Sequence, residues 1–365
     1  MPAPTLADLR RYAIARTLFT PTTLPRAIQK LGFVQADPIR APARAQDLTL
    51  RHRVKGYRAG DLERRYEKLG VEEDFFVNYG FLPRAHQALM HPRTPRAVWT
   101  PARWQQAQAV LAFVTERGVV HPREVAAHFA HGKATNWFGG ASNASTQLLD
   151  GMHYRGLLRI ARREGGTRVY AARAGDDVVP DAATASGRMD ALVDLVVQKY
   201  APLPSASLGQ LVSLLCGGAP QWTGQRAAAL ARARQRLAHA KLDGVDWYWP
   251  AADKPTAARW RTEGGVRLLT PFDPVVWDRR RFELFWGWAY RFEAYTPAPK
   301  RKLGYYAMPL LFGAQVIGWG NLSVAGGALA CEFGYVSGKA PRDRDFRLGL
   351  ADELDRMRAF LGLES

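Results

Sequence analysis

The chain has few of the residues and motifs that mark cofactor or metal sites. Only two cysteines occur, Cys216 and Cys331, and their separation matches neither a disulfide framework nor a zinc or iron–sulfur ligand spacing. The eight histidines form no His-Glu-x-x-His arrangement, and the 33 glycines form no phosphate-binding loop of the Walker type. The sequence therefore predicts no metal and no cofactor.

Long apolar runs are also absent from the sequence. No run reaches the ~18 apolar residues that a membrane span needs, and the first eight residues lack the apolar core of a signal peptide. Together with the scarcity of cysteine, this predicts a cytoplasmic protein with no membrane partner. The oligomeric state stays open at this point, with a monomer favoured.

Acidic residues are outnumbered by basic ones. Lys and Arg total 51 against 33 Asp and Glu, which gives a formal net charge of +18. Such an excess favours a polyanionic partner, because Lys and Arg neutralise phosphates and release their counterions. Nucleic acid is the leading candidate, and the localisation expected is nucleoid-associated, although basic proteins without a nucleic-acid role also occur.

Gln35 and Asp37 are the candidate catalytic residues. They lie two apart in a stretch that Pro38 biases toward extended backbone, so their side chains should project to one side. A carboxylate can take a proton from water while an amide orients that water. An ordinary turn built on Asp-Pro is the alternative. The cations that follow are the predicted DNA contacts of this region: Arg40, Arg44, Arg51, His52 and Arg53.

Residues 101–175 are the clearest module. Helical patterns at 104–114, 122–129 and 143–155, the last with Ser142 as its expected N-cap, are followed by alternating strands on both sides of a basic turn. Three helices and a hairpin are typical of a winged helix, with the third helix in the recognition position. The predicted DNA contacts of the wing are Arg162, Arg163 and Arg168. A small α+β module used only for packing is the alternative.

The remaining patterns predict further units. Residues 1–100 contain helices at 6–18 and 24–31 and end in a proline-rich linker. A second linker is expected over 174–187, and residues 188–250 read as a third winged-helix-like unit with a helix over 225–240. Residues 251–365 carry short alternating runs, among them 328–335, which predict a β-domain that a helix at 342–361 closes. An aromatic cluster at 282–295 is more typical of a core than of a base-stacking surface.

Two distant stretches carry a family resemblance. Residues 31–39 with 50–53, and residues 269–279 with 290–295 and 318–320, resemble the AlkZ and YcaQ family of winged-helix DNA glycosylases. The likeness covers nearly the whole chain and points to the Gln-x-Asp branch (YcaQ-like, AlkX). Gln46 stands where some relatives place His. The resemblance implies an α+β fold with tandem winged-helix (helix-turn-helix) domains followed by a C-terminal β-barrel-like domain.

The resemblance also implies an activity. We expect a monofunctional DNA glycosylase of DNA repair that hydrolyses the N-glycosidic bond of N7-alkylated purines and unhooks interstrand crosslinks in double-stranded DNA. Asp37 would act as the base and Gln35 would hold the water. A non-enzymatic winged-helix DNA-binding protein, such as a transcriptional regulator, is the main alternative, and an RNA-processing factor would share the same electrostatics.

Overall fold

The computed structural model describes residues 3–95, 97–129, 132–135, 141–174, 180–262 and 264–363. These residues form two compact units. The first draws its described residues from 1–62, 193–211 and 230–365, and the second from 63–192 and 212–229. Each unit combines helices with small antiparallel sheets. Among the described residues, no helix is both long enough and apolar enough to cross a bilayer.

The helices of the described chain vary widely in length. They are α1 (Leu6–Thr17), α2 (Leu24–Leu31), α3 (Ala45–Leu50), α4 (Asp61–Arg65), α5 (Arg84–Ala88), α6 (Pro101–Arg117), α7 (Pro122–Phe129), α8 (Ala144–Arg155), α9 (Ala182–Tyr200), α10 (Ser205–Gly218), α11 (Arg226–Arg236), α12 (Arg279–Trp286) and α13 (Arg344–Leu361). Short 3-10 turns occupy Tyr66–Lys68, Pro220–Gln225 and Ala298–Lys300.

The strands are mostly short. They are β1 (Val34–Gln35), β2 (Val71–Phe75), β3 (Tyr79–Pro83), β4 (Val119–Val120), β5 (Lys133–Thr135), β6 (Ala141–Asn143), β7 (Leu158–Glu164), β8 (Thr167–Ala172), β9 (Leu203–Pro204), β10 (Ala238–Leu242), β11 (Val245–Trp249), β12 (Val266–Leu268), β13 (Met308–Phe312), β14 (Gln315–Ala325) and β15 (Ala328–Tyr335).

Local signals at the N-terminus position the predicted motif. Thr5 and Asp8 form a capping box that starts α1, and Pro25 lies in the first turn of α2. Gly32 ends α2 with a φ of 67°, a left-handed conformation that favours glycine. The chain can therefore turn sharply from α2 into β1, which carries Gln35.

The C-terminal sheet of the first unit is open, which corrects the expectation of a barrel. Its order is β12-β13-β14-β15, with every neighbouring pair antiparallel. The outer edge of β12 is covered by α13, because Arg356 donates to the Val266 carbonyl and Glu353 accepts from the Leu268 amide. These side chains satisfy the edge groups that a closing strand would need, so the described strands do not close.

The core of the first unit absorbs much of the predicted aromatic cluster. Phe282 and Tyr290 pack with Leu269, Val276 and other buried apolar residues, and Trp286 and Trp288 pack against this core. The interpretation as a core is therefore confirmed for these side chains.

In the second unit, helices α6, α7 and α8 occur with the three-stranded sheet β4-β8-β7, in the order expected from the sequence. Asn143 caps α8 by accepting from the Ser145 amide at 2.8 Å, whereas the sequence suggested Ser142. The hairpin turns at Gly165 and Gly166, both with positive φ. The assignment of this module as a winged helix stays a prediction.

Two boundaries differ from the sequence prediction. A helix expected over 225–240 ends at Arg236, because β10 and β11 form a hairpin across Asp243 and Gly244. Both turn residues have positive φ, as a tight Asp-Gly hairpin requires. A linker expected over 174–187 is helical from Ala182 onward, and residues 175–179 lie outside the described chain.

Candidate active site

Gln35 lies at the end of β1 and is held by a distant residue. Its Oε1 accepts from the indole Nε1–H of Trp277 at 2.9 Å, and only 4% of Gln35 is exposed. The start of β1 is fixed as well, because the buried amine of Lys199 donates to the carbonyl of Phe33, the residue just before this strand. The bond to Trp277 orients the amide of Gln35, because it fixes the position of the carbonyl oxygen. The amide nitrogen then points away from Trp277 and keeps its two N–H donors.

The segment that presents Trp277 is anchored by buried arginines. Arg53 makes two hydrogen bonds to Asp273, at 2.8 and 3.0 Å, and neither side chain is exposed. Arg281 donates to the carbonyls of Tyr200 and Pro274. Such paired charges hold a short loop more firmly than its backbone contacts alone. The two sequence stretches that carry the family resemblance therefore meet at the bond between Gln35 and Trp277.

Asp37 is more accessible than Gln35. Its residue is half-buried, its Oδ1 accepts from the Ile39 amide at 2.9 Å, and its own amide donates to Gln46 Oε1 at 3.4 Å. Burial raises the pKa of the Asp37 carboxyl, and the bond from Ile39 opposes that rise. A partly desolvated carboxylate with a raised pKa is a stronger base than one in open water.

A surface groove of about 680 Å³ is lined in part by Arg40, Ala41 and Pro42, which follow Asp37 closely in the chain. Its lining includes Arg40, Tyr305, Tyr306, Asn321, Cys331 and Glu332. Asp37 does not line the groove, but its charge acts on Tyr306. Burial raises the pKa of Tyr306 most, the hydrogen bond with Thr270 lowers it, and the charge of Asp37 raises it. Of the predicted DNA contacts near the motif, the exposed Arg40 lies at this groove and Arg44 is half-buried.

Three other predicted DNA contacts lie inside the first unit. Arg51 pairs with the buried Glu353 and donates to the Leu268 carbonyl at 3.0 Å. His52 donates to the same carbonyl at 2.9 Å, and burial lowers its pKa well below the ordinary value. Arg53 is fully buried. A phosphate contact at these positions requires a change in packing, and it stays a prediction.

The predicted wing cations are engaged by acidic residues of the second unit. Arg163 binds Glu73 through two hydrogen bonds of 2.6 Å, and Arg168 binds Asp150 at 2.8 Å. Arg162 is exposed and pairs with Glu164. These bonds hold the hairpin, so a phosphate would have to compete with the carboxylates. DNA contact by the wing stays a prediction.

Sequence reasoning assigned no separate role to Trp277 and Tyr306. Both stand in or next to stretches rich in aromatic residues, which favoured a core interpretation. Their polar ends are the informative part, because a Trp or Tyr removed from water usually directs its N–H or O–H at a partner. Sequence spacing cannot identify that partner when it lies 242 residues away.

The fold matches that of a solved DNA glycosylase. The structure of Streptomyces sahachiroi DNA glycosylase AlkZ is similar with a TM-score of 0.63 at 14% identity, covering 100% of this chain and 98% of that one. A family model described as DNA glycosylase AlkZ-like matches residues 28–360. The chain therefore belongs to the AlkZ-like DNA glycosylase family, and the predicted family is confirmed. Its assignment to the Gln-x-Asp branch stays a prediction.

Proposed function

We propose that this protein is a monofunctional glycosylase of the Gln-x-Asp branch that hydrolyses the N-glycosidic bond of N7-alkylated purines in double-stranded DNA. Adducts that link the two strands are included, so the enzyme would also unhook crosslinks in DNA repair. The observation that carries the proposal is the half-buried carboxyl of Asp37, whose charge acts on Tyr306 of the groove and which follows by two residues a Gln35 amide oriented by Trp277.

The proposed reaction needs one carboxylate. Alkylation at N7 already gives the purine a positive charge, so the base can leave with the electron pair of the C1′–N9 bond without being protonated first. Water then adds to C1′ of the cationic sugar while Asp37 takes its proton, and Gln35 holds the water. The products are the free alkylated base and an abasic site.

Strand cleavage through a Schiff base would need a lysine amine at C1′. Lys199 lies close to the motif in structure, but it is fully buried and bonded to the Phe33 carbonyl. We therefore propose base release without strand cleavage. Borohydride should trap no covalent complex between the protein and DNA that carries an abasic site.

A crosslinked purine places a further demand on the site. A base tethered to the opposite strand cannot be extruded freely into a closed pocket. A surface groove lined by residues that follow Asp37 suits such a substrate better, because duplex DNA can stay outside while the sugar approaches the carboxylate. Arg40 at the groove supports this proposal as a contact to phosphate.

Asp37→Asn tests the proposal directly. The variant keeps the acceptor for the Ile39 amide but loses the base, so we expect release of 7-methylguanine to fall by about 10²- to 10⁴-fold with duplex binding retained. Asp243→Asn, in the turn between β10 and β11, removes the same charge and should release base at the wild-type rate. Detection of abasic sites after incubation with methylated duplex measures both.

The pH profile provides a second readout. Because the pKa of Asp37 is raised, the wild-type rate should begin to fall at a pH above the usual range of a free aspartate as the medium is acidified.

Full activity in Asp37→Asn would reject the assignment of Asp37 as the base. Sequence-specific binding by wild type without any base release would favour a transcriptional regulator instead.

A further inference from the structure

Tyr295 is an exposed aromatic side chain in the first unit, with 79% of its surface accessible. Its ring meets Phe292 edge to face at 6.1 Å, and Phe292 meets Tyr306 in the same way at 5.4 Å. Tyr306 lines the groove together with Arg40. Burial and, to a smaller extent, the charge of Asp37 raise the pKa of Tyr295, and the charge of Asp37 also contributes to the raised pKa of Tyr306.

The backbone around Tyr295 is held in place. The Thr296 amide donates to the Glu293 carbonyl at 2.9 Å, closing a turn that carries Tyr295 at its third position. The buried carboxylate of Glu293 accepts from the amides of Lys302 and Leu303, at 2.8 and 2.7 Å. The ring of Tyr295 is therefore presented by a loop that is closed at both ends, and little order has to be gained when it meets a ligand.

The surroundings of Tyr295 suit a nucleic acid. Arg291, Lys300 and Lys302 are exposed on the same segment and can approach phosphates. An exposed aromatic ring among cations is the usual arrangement for stacking on nucleobases. A purine alkylated at N7 is cationic, and the electron-rich face of tyrosine attracts cations.

We propose that Tyr295 determines specificity by stacking on the alkylated purine while Asp37 faces the attached sugar. The inference rests on the proposed function and extends it to a residue outside the Gln-x-Asp motif. Base and sugar are joined at C1′, so the residues that contact them must lie on one surface, and the rings of Phe292 and Tyr306 connect Tyr295 to the groove. The ring supplies the contact, and the hydroxyl is not required.

Binding to an uncleaved lesion tests the stacking without relying on catalysis. We would use duplex DNA carrying 7-methylguanine on a 2′-fluorinated sugar, because the electronegative fluorine disfavours the cationic sugar and slows base loss. Wild type should bind this duplex more tightly than undamaged duplex. Tyr295→Ala should lower that preference by about tenfold or more, whereas Tyr295→Phe should keep it within about twofold.

Controls separate stacking from general binding and from misfolding. Leu348→Ala removes an exposed apolar side chain from α13 and should leave the preference unchanged. Tyr295→Ala should melt at the wild-type temperature, since its ring is mostly in solvent. Single-turnover release of 7-methylguanine from an ordinary sugar should fall in Tyr295→Ala in parallel with the loss of preference.

The outcomes are distinguishable. If wild type releases the base and Tyr295→Ala keeps both the preference and the rate, the stacking proposal is wrong while the proposed function stands. A Tyr295→Phe variant as impaired as Tyr295→Ala would assign the effect to the hydroxyl and would also overturn stacking. If wild type neither prefers nor releases the alkylated base, the proposed function fails, and the role of Tyr295 fails with it.

Discussion

Lys199 is a lysine whose amine is removed from water beside the strand that carries Gln35. Its pKa is lowered to about 7, chiefly by burial and also by the charge of Arg53, while the charge of Asp273 opposes the fall. The amine still donates to the Phe33 carbonyl, so it closes a contact that fixes the start of the motif. A group with this pKa changes charge near neutrality, and that change should be visible in stability.

Lys199→Met should remove a pH-dependent part of the stability. The folded-state pKa of about 7 lies below the unfolded value of about 10.4, so the unfolded chain binds more protons between these values. The free energy of unfolding of the wild type, relative to that of the variant, should therefore rise as the pH increases above 7, by at most about 1.4 kcal/mol per pH unit. The same contribution should be lost as the pH falls toward 7. Chemical denaturation at pH 6 to 9 measures the difference.

Lys30→Met is the matched control for this pH dependence. Lys30 is exposed on α2 and lies over the Phe19 ring, so its removal should change stability equally at each pH. Equal pH dependence in both variants would contradict the assignment to Lys199.

At the scale of elements, the sequence predicts well those helices and strands whose ends are marked locally. Helix α2 ends at the residue before Gly32, α7 begins at Pro122, and β15 covers the predicted run. Capping residues, glycine with positive φ and alternating apolar positions act over a few residues, so they can be seen in sequence. The Gln-x-Asp motif could be found for the same reason.

Elements that depend on distant partners could not be predicted in this way. Strand β2 contains Glu72, Glu73 and Asp74 in succession, a pattern typical of a solvated surface, yet all three are buried. Each is paired with cations from other parts of the second unit: Glu72 with Arg84 and Arg159, Glu73 with Arg163, and Asp74 with Arg93. His91 adds a hydrogen bond to Asp74 at 2.8 Å. The bond between Trp277 and Gln35 could not be predicted either, because the two residues are 242 positions apart in the sequence.

Glu73→Gln should destabilise the second unit strongly. The variant leaves the guanidinium of Arg163, which is only 13% exposed, without its carboxylate, and it weakens the bond from Tyr79. Loss of one partner from a buried ion pair costs about 3 kcal/mol or more. Glu164→Gln is the control, because Glu164 lies in β7 beside Arg163 and its pair with Arg162 is exposed to solvent. That pair should contribute about 0.5 kcal/mol or less to the stability.

Hydrogen exchange of the β2 and β7 amides during chemical denaturation measures both variants. Equal protection in Glu73→Gln and Glu164→Gln would show that burial adds nothing to the pair of Glu73 with Arg163.

At the scale of the whole molecule, the net charge of +18 overstates the cations that can meet DNA. Several arginines bind partners within their own unit: Arg53 and Arg163 bind carboxylates, and Arg281 binds a backbone carbonyl. Charge in the sequence therefore supports a polyanionic partner without identifying the contact residues. Exposure decides which cations are available, and the segment around Tyr295 is one that carries exposed cations.

The salt dependence of binding tests that location. Each phosphate contact contributes about 0.9 to the slope of log K against log salt on duplex DNA. Replacing Lys300 and Lys302 by alanine should reduce the slope by about 2 if both contact phosphates. Replacing Lys241 and Lys254, which are exposed elsewhere in the same unit, removes equal charge and should leave the slope nearly unchanged.

Fluorescence anisotropy with an undamaged duplex, titrated from about 50 to 200 mM salt, gives both slopes without any dependence on base release. A slope reduced equally by the two double variants would mean that binding responds to total charge. A slope reduced only at Lys300 and Lys302 would place the duplex along the loop that presents Tyr295. The phosphate contacts and the proposed stacking contact would then lie on one surface.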